Sequence, residues 1–179
     1  MRALSVVAVV AAVAVGLTPA ATADSADQLR GLLPAGYRSD SCTPERDHLP
    51  PGALAALTCR DNALPGGTEY AYYELYADTA TLAAQFLRDV SARHPHPVPC
   101  PDRQPSPGPW VYDSAPNTTA GSILCGRVEG GDDVAVEWTK DRDLLLALAS
   151  GPDLAGLYNW WKANRSTQAR VFQVEVANN

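Results

Sequence analysis

Tyr70-Ala71-Tyr72-Tyr73-Glu74-Leu75-Tyr76, followed by Ala77-Asp78 and then Thr79-Ala80-Thr81-Leu82-Ala83-Ala84-Gln85-Phe86-Leu87-Arg88-Asp89-Val90-Ser91-Ala92, is the stretch that decides the fold. Its first seven residues are rich in β-formers and alternate with period two. Tyr70, Tyr72, Glu74 and Tyr76 share one side, and Ala71, Tyr73 and Leu75 the other. Asp78 stands where an N-cap belongs, and Leu82, Ala83, Phe86, Leu87 and Val90 recur at steps of three and four, which predicts an amphipathic helix over 79–92. The Ala71, Tyr73, Leu75 face carries no charge, so the expectation is that the helix stripe of Leu82, Phe86 and Val90 buries it and that the Glu74 face looks outward.

Working outward, Ala53 to Cys59 reads as a strand that reaches Tyr70 through the turn residues Asp61-Asn62 and Pro65-Gly66-Gly67. Upstream, Leu29, Leu32 and Leu33 suggest a helical turn ending at Pro34-Ala35-Gly36, and 37–52 reads as loop. Downstream, prolines at 95, 97, 99, 101, 105, 107 and 109 forbid a helix or a central strand between His94 and Pro109. A strand through Ser122 to Val128, a Gly130-Gly131-Asp132-Asp133 turn and a strand Val134 to Trp138 predict a hairpin. Leu144 to Ala149 reads as a buried strand, and Asp153 precedes a helix whose Leu154, Leu157, Tyr158 and Trp161 form one stripe, ending near Asn164. Arg170 to Val176 alternates and reads as an edge strand or a tail. Residues 54–92 and 120–163 repeat a strand, turn, strand, helix order. The expected fold is therefore α+β, an antiparallel sheet of about five or six strands with two helices on one face, and the repeated order suggests two related halves.

The chain opens with Arg2, an apolar run from Ala3 to Leu17 and the small-x-small site Ala21-Thr22-Ala23, the pattern of a secretory leader cleaved before Asp24. That gives a signal peptide over 1–23, one domain over 24–163 and a tail or edge strand over 164–179, placed outside the cytoplasm. The run is shorter than the roughly 20 residues a spanning helix needs, so no membrane span is expected. Net charge is -6. Only Lys140 and Lys162 are lysine, and an acidic chain of this kind excludes phosphate backbones, hence no nucleic acid partner.

All four cysteines, Cys42, Cys59, Cys100 and Cys125, fall in the exported part, where an even count reads as two disulfides. Three pairings are open. Cys42 with Cys59 and Cys100 with Cys125 is favoured because each closes a local, proline-containing loop. The isolated cysteines lack the paired spacing of a zinc site, and no metal or other cofactor is called for.

Catalytic signatures are missing from the sequence: there is no serine elbow, no His-Glu-x-x-His and no dinucleotide fingerprint. His48, His94 and His96 lie in proline-rich loops and read as solvated. Paired carboxylates remain, since Glu74 and Glu137 hold equivalent places in the two half-repeats and Asp141 and Asp143 follow closely. The plainer reading puts these glutamates on a solvent face and makes Asp141-Arg142-Asp143 a polar turn. The aromatics point instead to binding. Tyr70, Tyr72 and Tyr76, with Glu74 between them, form a candidate ligand platform, to which Trp160, off its helix stripe, adds a surface aromatic. The competing reading makes the tyrosines ordinary core. A ligand- or protein-binding module, with an extracellular peptide, glycan or protein as partner, is the expected function. A secreted hydrolase using paired carboxylates and a structural envelope protein are the alternatives.

Leu33-Pro34-Ala35-Gly36-Tyr37 with Cys42, Ala56-Leu57-Thr58-Cys59, Pro65-Gly66-Gly67, Ala120-Gly121-Ser122-Ile123-Leu124-Cys125-Gly126, Glu137-Trp138-Thr139 and Gly151-Pro152-Asp153-Leu154 with Trp160-Trp161 resemble a family of small secreted actinobacterial, mycobacterial-type disulfide domains. Similar segments occur as extracellular regions attached to some membrane serine/threonine kinases. The resemblance implies an exported, disulfide-bonded, sensor-like domain and carries no catalytic residue.

Overall fold

The computed structural model describes residues 20–165, with side chains from Asp24 onward. Most of the expected leader and the Arg170–Val176 segment lie outside the described residues. The elements are α1 (Ala20–Gly31), β1 (Cys42–Pro44), β2 (Ala53–Arg60), β3 (Tyr70–Tyr76), α2 (Thr79–Ala92), β4 (His96–Val98), β5 (Gly108–Tyr112), β6 (Ala115–Arg127), β7 (Val134–Lys140), β8 (Leu145–Gly151) and α3 (Leu154–Asn164). The protein is α+β, with an antiparallel sheet and helices, as its periodicities require. Eight strands, more than the five or six expected, form one sheet in the order β1-β2-β3-β8-β7-β6-β4, with β5 also paired to β6. The additional strands are short or proline-bearing pieces at the margins. Proline has no amide to donate and is tolerated at an edge, which is where β4 and β5 attach to β6.

The hairpins close as their turn chemistry dictates, and β3 pairs with β8 in the middle, Tyr73 opposite Ala147 and Tyr72 opposite Leu148. Gly121 permits a close approach inside this sheet, for a Cβ there would stand 2.1 Å from the Thr139 carbonyl oxygen. That carbonyl accepts the Trp110 indole N–H at 2.9 Å. Asp78 caps α2 by accepting from the Thr81 amide at 2.8 Å, and Asp153 caps α3 through the Ala155 and Gly156 amides.

The two helices read from the sequence lie on opposite faces, and α3 shares its face with α1. Ala71, Tyr73 and Leu75 are fully buried as expected, but under α1 and α3 rather than α2. There Tyr37, Tyr73, Trp138 and Trp160 form a chain of edge-to-face rings with centroids 6.0 to 6.3 Å apart, the geometry the ring quadrupoles prefer. The stripe of α2, Leu82 and Phe86, packs instead with Tyr76, Leu124 and Leu146. The outward placement of the Glu74 face is thereby corrected: Glu74 is 7% and Tyr76 1% exposed. The cause is topological. β3 is an interior strand, and Leu146, brought beside it by pairing with β8, completes with Leu124 of β6, farther across the same face, an apolar floor for α2. Trp160 is corrected as well, being 2% exposed. Its indole N–H donates to Asn62 Oδ1 at 3.3 Å, because α3 lies between the sheet and the 62–67 turn and buries both sides of itself.

Cys42 is bonded to Cys59 and Cys100 to Cys125. The first bridge joins paired residues of β1 and β2. The second ties the proline-rich connection to β6.

Candidate functional site

On the α2 face, pairing sets Thr58, Tyr72, Leu148, Glu137 and Leu124 in one row across the sheet, and Ala56, Glu74, Leu146 and Thr139 in the next. Glu74 and Glu137 are thus two strands apart, about 10 Å between their backbones, and offset by two residues along the strands. The helix α2 lies over part of these rows and leaves the rest as an open cleft of about 300 Å³. Leu146 and Leu148 form its apolar floor, Tyr70 and Tyr72 one half-buried flank, Gln85 and Asp89 the helical wall, and His94 the rim.

Three carboxyls meet here, each displaced from ordinary behaviour by burial. Glu74 is pushed up to about 7, chiefly by desolvation; the Tyr76 hydroxyl, which donates to Glu74 Oε2, opposes the shift, and Asp89 adds to it. Asp89 is raised by burial although the Gln85 amide donates to it at 3.0 and 3.1 Å. Glu137 is raised furthest, by burial and then by the charges of Asp89 and Glu74. Glu137 is 2% exposed, and no N–H or O–H donor of the described residues reaches either of its oxygens. Its polar neighbour is the Asp89 carboxyl, with which it can bond only when one of the two holds a proton. Arg88 opposes the rise at both Glu74 and Asp89, and His94 opposes it at Asp89, each less strongly than burial raises it. The three carboxyls form no metal-holding group, and no such group of three or more His, Cys, Asp or Glu occurs among the described residues.

Of the residues singled out by sequence, Tyr70, Tyr72, Glu74 and Glu137 come together at this cleft. Tyr76 lies beneath α2 as a hydrogen-bond donor to Glu74, and Trp160 is on the opposite face of the sheet. Asp141 and Asp143 do not line the cleft. Asp141 accepts from Thr139 Oγ1 at 2.8 Å and Asp143 pairs with Lys140 at 2.6 Å, so both hold the turn that follows β7. Asp89 was missed. It follows Leu82 and Phe86 at steps of four and three, so an acid on the buried helix stripe was the available signal.

Among the described residues no helix is long and apolar enough to cross a membrane. Compared with known proteins, the chain matches no family model, no curated protein and no solved structure.

Proposed function

We propose that this protein works outside the cytoplasm as a small disulfide-bonded binding domain, a counterpart of the exported actinobacterial domains it resembles, and that it takes its ligand in the cleft beside α2. The leader-like start and the two disulfides support the compartment. One observation carries the site: Glu137, a carboxyl with no donor of its own, is buried in the wall of a cleft large enough for a small organic molecule. Burying a polar group without a partner costs free energy that a ligand can return.

The test is a thermal-shift screen of amines, sugars, short peptides and carboxylates against the disulfide-bonded protein, followed by chemical-shift mapping of each hit. Hits that perturb Leu146, Leu148 and the Gln85–Asp89 turn, and that weaken in Tyr72→Ala, are the expected result. Hits that map instead to the groove between α1 and β2, lined by Ala26, Arg30 and Leu54, would overturn the assignment.

A second reading, acid catalysis, is favoured by the proton-holding carboxyls, since a glutamic acid titrating near neutrality is suited to donate to a leaving group. Turnover of peptide, ester or glycoside substrates that disappears in Glu74→Gln would establish it over the binding role.

A further inference from the structure

Resting on the cleft assignment, we infer that the ligand is an organic cation, an ammonium group on an apolar or aromatic body, held with Glu137 and Asp89 as its counterions. The argument is one of complementarity. The cleft lining holds Glu74, Asp89 and Glu137 and no lysine or arginine. A carboxylate ligand would add a fourth acid to three that already repel one another. A cation reverses the balance, supplying the donors that Glu137 lacks and the charge that makes ionisation of the buried pair favourable.

The cation is organic because the space is too large and too apolar for a bare ion. Leu146 and Leu148 offer the body an apolar floor, and Tyr72, beside a Tyr70 ring that already carries the Arg60 guanidinium 5.4 Å from its centroid, offers an aromatic ring near the carboxyls, surroundings that attract ammonium groups through the ring quadrupole. Glu74 already accepts from Tyr76 and Asp89 from the Gln85 amide, which leaves Glu137 as the carboxyl without a donor, and an ammonium with three N–H donors can supply it while it contacts the neighbouring Asp89 carboxyl.

The groups facing this pair fix the pH dependence. From β3 come Glu74, Tyr70 and Tyr72, from α2 Asp89 and Arg88, and from the following loop His94. Protonation of the carboxyls opposes the cation, so binding strengthens as pH rises through neutrality while an aliphatic amine keeps its charge.

Isothermal titration of the full disulfide-bonded protein with 2-phenylethylamine, 2-phenylethanol and phenylacetate tests the inference. The expected result is saturable binding of the amine, with the alcohol and the acid about tenfold weaker or more, and tightening from about pH 6 to about pH 8 with release of protons to the buffer. Glu137→Gln and Asp89→Asn keep side-chain shape, and each is expected to weaken the amine about tenfold while the melting transition stays cooperative. Alcohol or phenylacetate binding as well as the amine at the Tyr72 flank would overturn the cationic class and leave the cleft standing. Amine binding undiminished in both variants, or absent up to about 10 mM, would also overturn it. The fate of the cleft itself is then read from the wider ligand screen.

Discussion

Glu137 holds the most exacting position in the chain. Its carboxyl, like that of Glu74, binds a proton more tightly in the folded protein than in the unfolded chain. Below about pH 4 both states are protonated and nothing is lost. As pH rises past the unfolded value, the unfolded chain releases its protons first, and stability falls until the folded groups ionise too, Glu74 at about 7 and Glu137 well above its ordinary range. At about 1.4 kcal/mol per pKa unit, Glu74 alone withdraws about 3 kcal/mol across that window. The melting temperature is therefore expected to drop between about pH 5 and about pH 8, and Glu137→Gln, which removes the charge and gives Asp89 a donor, to raise it by several degrees at the upper end and flatten the profile. Calorimetry across that range checks this, and a wild-type profile that rises instead would show the carboxyls to be ionised and satisfied.

The two neighbouring tyrosines give a sharper contrast at the same scale. Tyr73 is fully buried, and its hydroxyl bonds that of Tyr37 at 2.8 Å, so Tyr73→Ala is expected to cost about 3 to 5 kcal/mol in denaturant unfolding. Tyr72 is half-buried on the cleft flank, and Tyr72→Ala is expected to cost little stability and to weaken ligand binding. Equal losses of stability would mean that the β3 faces do not differ as described.

Among the elements, β3 and α2 were legible to the residue, because period-two alternation, the Asp78 cap and the Leu82–Phe86–Val90 spacing each say the same thing. Asp78→Ala is expected to lower the urea midpoint of unfolding without changing the slope, since the Thr81 amide and hydroxyl both lose their acceptor. What the local pattern could not give was the face on which α2 lands. The side of β3 carrying Glu74 looks wet when β3 is read alone; it becomes a core surface only once β8 sets Leu146 beside it and β6 adds Leu124 across the same face under α2. Trp160 failed for the same reason. A helix stripe identifies the side facing the sheet, and nothing local to α3 announces that Asn62 and its turn close over the other side. Likewise β1 and β4, three residues each, fall below any periodicity and exist as strands because a neighbour's edge recruits them.

For the molecule as a whole, the two bridges sit toward opposite margins of the sheet. One staples β1 to β2, the other fastens the proline-rich connection to β6, and the β3–β8 centre is held by strand pairing and side-chain packing with no covalent link. Removing Cys42 and Cys59 together is expected to cost about 3 kcal/mol and to loosen one margin. A non-reduced digest should yield the 42–59 and 100–125 pairs, and a peptide linking Cys59 to Cys100 would refute the topology at that margin. Three layers follow from this arrangement. The aromatic face beneath α1 and α3 is closed, whereas α2 covers only part of the other face, and the buried carboxyls lie where that cover ends.

The coupling between those carboxyls and a bound cation is the heart of this account, and carbon-13 NMR of the glutamate and aspartate carboxyls reads it directly. Titrated alone, Glu137 is expected to hold its proton well above the ordinary carboxylate range and Glu74 to titrate at about 7; with 2-phenylethylamine at saturation, the Glu137 midpoint is expected to fall by about one unit or more, because an adjacent positive charge favours the ionised carboxyl. A Glu137 midpoint in the ordinary carboxylate range, or one that does not move as the amine saturates the protein, would contradict it.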